Sequence, residues 1–301
     1  MRRSPVRWVA PLVLAAVVPF ATAATAAAEP GQASVQRYVA LGDSYAAGPL
    51  VPVTTGEPAG CLRSNQNYPS VVARKLGVAE FRDASCSGAR TDHITGPQSV
   101  PLGENPPQLE ALSPDTQLVT ISIGGNDIGF ADIVTECAQR SPQRPTGSAC
   151  KDHYTAGGTD GLAERIDEAA PKVARVLEAI QDRSPDARVL LVGYPAILPD
   201  EGPGCFPVVP FSPGDVEYLR GVEKGLNAML ADVADRAGVR YVDTYTPSIG
   251  HDVCQPPGRK WVEGIVPTAP AAPVHPNALG MREIGEIVVD ALGDASSRAT
   301  A

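Results

Sequence analysis

The chain has 301 residues, is 43% hydrophobic, and carries 34 acidic against 25 basic side chains for a formal charge of −9. A chain of this length allows one or two domains. The acidic balance argues against general binding to nucleic acid or to an anionic membrane, but says little about a neutral substrate.

The chain begins Met-Arg-Arg-Ser-Pro-Val-Arg, continues almost wholly apolar over residues 8–20, and turns alanine-rich up to Ala28. A charged start, a short apolar run and a small-residue processing site mark an export signal. The apolar run is too short for a comfortable membrane span. Residues 1–28 are therefore read as a signal peptide, and no later segment is long and apolar enough to cross a bilayer. Removing the signal takes Arg2, Arg3 and Arg7 with it and brings the charge to −12. Residues 29–301 show no low-complexity linker and no internal repeat, and are expected to form a single domain.

Residues 38–41 read as a first buried strand, which breaks into Gly42, Asp43 and Ser44. A Pro/Gly/Thr-rich loop follows over residues 48–60. Tyr68–Leu76 reads as a helix stopped by Gly77. Residues 79–84 suggest a second strand, running into the small-residue turn Ser85-Cys86-Ser87-Gly88-Ala89. Residues 101–107 read as loop. Residues 118–123, Leu-Val-Thr-Ile-Ser-Ile, form a β-rich run ending in Gly124-Gly125-Asn126-Asp127, with a helix expected over 128–139. Residues 141–159 are polar and Pro/Gly-rich, which reads as a surface excursion.

From Leu162 to Ile180 the apolar residues keep a helical spacing, although Pro171 is expected to kink or divide that helix. Arg188–Val192 is another buried strand, and a loop over 198–213 holds Cys205. Ser212-Pro213 opens a helix to residue 237, with Ser as N-cap and Gly238 as the stop. Arg240–Val242 is a last short strand. An irregular stretch over 246–274 carries Cys254, and the closing helix over 278–292 has Met281, Ile284, Val288 and Ala291 at core spacing. Strands alternating with helices indicate a parallel sheet covered on both faces. In such a sheet ligands bind at the carboxyl ends of the strands, where the turns after Leu41, Ala84 and Ile123 fall.

Each chemistry-bearing residue also has a plainer use. Ser44 is a candidate nucleophile by position, but a bare Gly-Asp-Ser is more often an ordinary β-turn, and the Gly-x-Ser-x-Gly signature of many hydrolases is absent. His93 and His251 lie in loops, and His153 in the excursion. His275 precedes Pro276, which restricts it to extended backbone, so its ring is held in a defined loop just before a helix. A neutral imidazole there can take a serine proton and return it to a leaving group. Asn126 carries an amide suited to a developing oxyanion, or serves as a helix cap. Gly88 offers a backbone N–H with no side chain in the way. The six cysteines, Cys61, Cys86, Cys137, Cys150, Cys205 and Cys254, suggest disulfides in an exported protein but leave the pairing open. No Cys-x-x-Cys or His-Glu-x-x-His motif speaks for zinc.

Taken together, Gly42-Asp43-Ser44, Gly88, Gly125-Asn126-Asp127 and His275-Pro276, in that order and at those edge positions, resemble the SGNH, or GDSL, hydrolase superfamily. With six cysteines and an export signal, the chain is similar to the secreted lipases and esterases of actinomycetes. The resemblance implies a three-layer α/β/α sandwich around a five-stranded parallel sheet in flavodoxin-like order. It implies Ser44 as nucleophile, with its own N–H, Gly88 and Asn126 as the oxyanion hole, and His275 as general base and then acid. It also implies consecutive disulfides, Cys61–Cys86, Cys137–Cys150 and Cys205–Cys254.

One position departs from the family pattern. Ala272 stands where many members place an acid three residues before the histidine. The Pro273 carbonyl is the candidate to orient the imidazole instead, with Asp252 a remote one. The expectation is a secreted, monomeric, metal- and cofactor-independent serine hydrolase with an acyl ester or lipid as substrate and no stable membrane anchor. A glycan deacetylase and a non-catalytic glycan- or lipid-binding module are the alternatives.

Overall fold

The computed structural model describes residues 35–298, with side chains to residue 293. The signal peptide read over 1–28 lies outside the described residues. Five parallel strands form the central sheet: β1 (Arg37–Gly42), β2 (Glu80–Asp83), β3 (Leu118–Ser122), β4 (Arg188–Val192) and β5 (Arg240–Val242). Their order across the sheet is β2-β1-β3-β4-β5, every neighbouring pair parallel.

The period-2 alternation of a strand sends successive side chains to opposite faces, and two cores result. On one face Tyr38, Ala40, Leu118, Leu190 and Val192 pack with helices α1 (Tyr68–Leu76) and α5 (Ala278–Arg298). On the other, Val39, Leu41, Val119, Ile121 and Leu191 meet α2 (Phe130–Arg140), α3 (Gly161–Arg183) and α4 (Pro213–Arg236). The inner strands β1, β3 and β4 are largely apolar runs because both faces are covered, whereas the edge strands β2 and β5 are part-exposed. The strand order reverses between β1 and β3, and the carboxyl ends of those two strands flank a crevice where a ligand can sit.

Most elements lie where their sequence signals put them, and four differ. Pro171 does not divide α3, which runs unbroken over 23 residues. Pro171 lies on the exposed face, so the carbonyl that loses its intrahelical partner can turn to water. The segment 141–159 is more than a surface excursion. It holds a short helix, Ala149–Tyr154, anchored by buried Asp215 of α4, which accepts from the Ser141 and Ser212 hydroxyls and from the Cys150 (3.2 Å) and Lys151 (2.9 Å) N–H groups. Ser212 consequently does not cap α4 with its side chain. Its hydroxyl serves Asp215 and the Gly147 carbonyl. Finally, residues 98–105 form a small antiparallel hairpin, Gln98–Val100 with Gly103–Asn105, where the Pro-Leu-Gly punctuation reads as loop. The six cysteines pair as Cys61–Cys86, Cys137–Cys150 and Cys205–Cys254.

Candidate active site

The turn after β1 is built so that only glycine can open it. Gly42 has φ +130°, and a β-carbon there would lie 2.4 Å from the Ser122 carbonyl oxygen. Buried Gln108 clamps the same peptide from both sides: its Oε1 accepts the Gly42 N–H (2.7 Å) and its Nε2 donates to the Gly42 carbonyl (3.0 Å). Asp43 then caps a one-turn helix, Ser44–Ala47, accepting the Tyr45 N–H at 2.8 Å, and Gly48 closes that helix in the left-handed region. Ser44 is thereby fixed at the sheet edge and nearly buried, at 8% exposure. Neither the Ser44 nor the Gly88 N–H has a hydrogen-bond acceptor among the described residues.

His275 comes from the opposite side. Its Nε2 lies 2.8 Å from Ser44 Oγ, and its Nδ1 lies 2.7 Å from the Pro273 carbonyl. A carbonyl can only accept, so Nδ1 carries the proton and Nε2 is left to accept from the serine hydroxyl. Burial lowers the imidazole pKa below its ordinary 6.5, and the bond to Pro273 only partly offsets this. The ring therefore rests neutral at neutral pH, as a base must. Asp252 plays no part here: its carboxylate accepts the Cys254 N–H (2.9 Å) and the Gln255 amide (3.2 Å). The other histidines are engaged elsewhere. His93 accepts the Arg90 N–H, His251 stacks on Trp261, and His153 is exposed beside Tyr154.

The loop before His275 is held under strain. Val274 has φ +59°, a region that a β-branched residue adopts only when its surroundings force it. The force is visible: the Tyr45 hydroxyl donates to the Val274 carbonyl at 2.7 Å, and Tyr45 packs against the His275 ring at 5.0 Å. On the far side of the loop, buried Glu263 accepts from the Asn277 amide (2.7 Å) and from the Thr268 N–H (2.7 Å) and hydroxyl (2.9 Å). Asn277 in turn accepts the Gly280 N–H in the first turn of α5.

The third and fourth contributors are fastened to each other. Asn126 Nδ2 donates to the Ala89 carbonyl at 2.9 Å, next to Gly88. The Asp127 carboxylate accepts the Thr91 N–H (3.1 Å) and hydroxyl (2.5 Å). A tyrosine from the end of β4 then ties this assembly to the serine turn. The Tyr194 hydroxyl donates to Asp43 Oδ2 at 2.6 Å and accepts the Gly125 N–H at 2.8 Å. Burial pushes the Asp43 carboxyl from 3.8 up to about 7, even though Tyr194 and the Tyr45 N–H both favour its ionised form. Sequence reasoning missed Tyr194, Tyr45, Gln108 and Glu263. Tyr194 does stand in a recognisable signal, Gly193-Tyr194-Pro195 at a strand end.

A cleft opens from Ser44 and Asn126 between α2, α4 and the loop after β4, with an empty volume, open solvent included, of about 740 Å³. Phe130, Ile133, Leu198, Phe211, Leu219 and Leu226 are among its apolar walls. Besides Asp43, a second buried carboxyl, Glu223, also lines it. Burial raises its pKa well above the ordinary carboxylate range, and it accepts the Ile197 N–H at 3.1 Å. A hydroxyl poised on a neutral imidazole, two unused backbone N–H groups, a nearby amide and an apolar trough together suit attack on an acyl carbonyl and storage of its hydrocarbon part. Among the described residues no cluster of His, Cys, Asp and Glu could hold a metal ion, and no helix is long and apolar enough to cross a membrane.

The chain is similar to known proteins in family, in sequence and in fold. The family model described as "GDSL-like Lipase/Acylhydrolase family" matches residues 40–283. Lipase 2 of Streptomyces coelicolor is 41% identical over 279 residues, covering 90% of this chain and 91% of that one. Among solved structures, phospholipase A1 from Streptomyces albidoflavus (TM-score 0.65, 27% identity) is similar over 85% of this chain and 98% of that one. The extracellular lipase from Streptomyces rimosus (TM-score 0.64, 29% identity) is similar over 84% and 97%.

Proposed function

This chain belongs to the GDSL-like Lipase/Acylhydrolase family and is a carboxylic ester hydrolase of the lipase/esterase type; from that premise we propose that it is a secreted enzyme working through a Ser44–His275 dyad. The observation that carries the reading is the Ser44 Oγ to His275 Nε2 contact of 2.8 Å, with the imidazole tautomer set by Pro273.

Ser44 Oγ attacks the ester carbonyl carbon while His275 Nε2 takes its proton. The oxyanion forms among the Ser44 N–H, the Gly88 N–H and the Asn126 amide, where preorganised donors act in a partly dry site. His275 returns the proton to the alkoxide, and the alcohol leaves. A water molecule, deprotonated by the same imidazole, then cleaves the acyl-enzyme and releases the acid. The Pro273 carbonyl takes over the orienting task of the carboxylate that Ala272 replaces. A carbonyl stabilises an imidazolium less than a charged acid does, so the burden of transition-state stabilisation falls on the oxyanion donors.

The apolar cleft beside Ser44 supports an acyl chain rather than an acetyl group as the part held, and no comparable observation favours the glycan deacetylase. Export is supported by the residue 1–28 pattern and by the extracellular Streptomyces rimosus relative. The test is hydrolysis of p-nitrophenyl butyrate by Ser44→Ala, purified free of host esterases and shown folded by circular dichroism. Activity should vanish, and turnover surviving in that variant would refute the assignment.

A further inference from the structure

Three loops around the site contain no Asp, Glu, Lys or Arg: residues 49–56, 202–212 and 264–277. The chain as a whole is 20% charged, so these loops set that side of the molecule apart in composition. The same loops hold most of the large hydrophobic side chains that stand in water among the described residues. Val208 is 80% exposed, Val266 79%, Val53 60%, Leu50 52% and Phe206 37%.

The loops adjoin one another and the cleft. The Ala272 N–H donates to the Pro49 carbonyl at 2.9 Å, joining the first loop to the third. A β-carbon on Gly264 would lie 3.8 Å from a Val209 methyl, which sets the third against the second. Phe211 of the second and Val274 of the third both line the cleft that opens at Ser44. The apolar rim is therefore continuous with the trough.

We propose that this rim is the face with which the enzyme rests on an uncharged lipid–water surface, such as one of zwitterionic lipid, so that an acyl chain passes from the lipid into the cleft without crossing water. The proposal deepens the ester-hydrolase reading and rests on it for its purpose. The choice of occupant follows from charge. The processed chain, at −12 without Arg2, Arg3 and Arg7, is repelled by anionic lipid, and a rim without cations offers nothing to phosphate-rich headgroups. Apolar side chains without charge gain from an interface in proportion to the area they bury.

The test uses full-length processed enzyme and vesicles of ether-linked phosphatidylcholine, which no esterase can cleave, so binding is read independently of whether Ser44 is the nucleophile. Co-sedimentation is compared for the parent, Val208→Asp and Val266→Asp, beside vesicles of ether-linked phosphatidylglycerol. The rim predicts binding to the zwitterionic vesicles, a fall of about tenfold or more in each Asp variant, and no tighter binding to the anionic ones. Hydrolysis of dissolved p-nitrophenyl butyrate should be unchanged in both variants, while hydrolysis of ester-linked phosphatidylcholine vesicles falls. Parental binding by both variants, preference for the anionic vesicles, or equal loss on the dissolved ester would overturn the proposal. So would a self-associated parent that the Asp variants render monomeric, since a second copy would then be the occupant. Ser44→Ala remaining active with the rim result intact would remove the catalytic assignment and leave the docking face standing.

Discussion

Replacing Tyr194 with Phe removes a single oxygen from the core and tests the frame that aligns the site. That oxygen donates to Asp43 Oδ2 at 2.6 Å and accepts the Gly125 N–H at 2.8 Å. The variant leaves a buried carboxyl short of one donor and a buried N–H with no acceptor, for a loss of about 2–4 kcal/mol. In a domain of this size that corresponds to a fall of roughly 5–15 °C in Tm.

The sign of its pH dependence is also fixed. Asp43 ionises at about 7 in the folded protein against 3.8 in an exposed chain, so the native state holds a proton that the unfolded state has released. Stability therefore declines as pH rises from the lower value through the upper one. Tyr194 is one of the groups that favour the ionised form. Its removal raises the folded pKa further and carries the decline to higher pH. Thermal unfolding followed at pH 6 and pH 8 should show the gap between Tyr194→Phe and the parent widening at pH 8. Catalytically, kcat should fall about tenfold with KM little changed, because Gly125 precedes Asn126. A Tm equal to the parent's, or a gap independent of pH, would refute the reasoning.

Three further outcomes follow. The acid limb of kcat/KM should have its midpoint below 6.5, because burial lowers the His275 pKa and only the neutral ring accepts the Ser44 proton; a midpoint at or above 6.5 contradicts this. Asn126→Ala should lower kcat by about 10²-fold or more on p-nitrophenyl esters, a loss read from initial rates at saturating substrate. Glu263 is pushed up by burial, but its donors Asn277 and Thr268 outweigh that and hold it below 4.5. Its contribution to stability is thus present above that pH and lost as pH falls through the lowered value. Glu263→Gln should destabilise the protein clearly at pH 7 and much less at pH 3, by urea denaturation at the two pH values.

The layout of the fold was legible chiefly because the inner strands β1, β3 and β4 are apolar runs; the edge strand β2, Glu-Phe-Arg-Asp, carries no such signal. Arg188–Val192 and Arg240–Val242 are found with the bounds their sequences suggest, and so is Tyr68–Leu76 with Gly77 beyond it. What escaped depended on partners distant in sequence. Asp215 reads as an ordinary first-turn acid of α4, and nothing nearby says that it gathers Ser141, Cys150 and Lys151 from a segment more than 60 residues away.

The same division holds at the site. Ser44, Gly88, Asn126 and His275 are legible only as a set: each alone has a plainer reading, and it is their order along the chain that resembles the family pattern. Tyr194, Gln108 and Tyr45 act through single hydroxyl or amide groups reaching across the sheet edge, and a lone tyrosine or glutamine has no local pattern that separates this use from plain packing. The strained backbone at Val274 is also invisible in sequence, since a valine there argues for ordinary extended chain.

The proposed dyad requires that His275 make Ser44 nucleophilic. Its most direct measurement is the site of covalent modification by a fluorophosphonate, located by mass spectrometry of peptides from the parent and from His275→Ala. A single adduct on Ser44 in the parent and a sharply slowed reaction in the variant are expected. An adduct on another residue, or equally fast labelling of Ser44 without His275, would contradict the dyad.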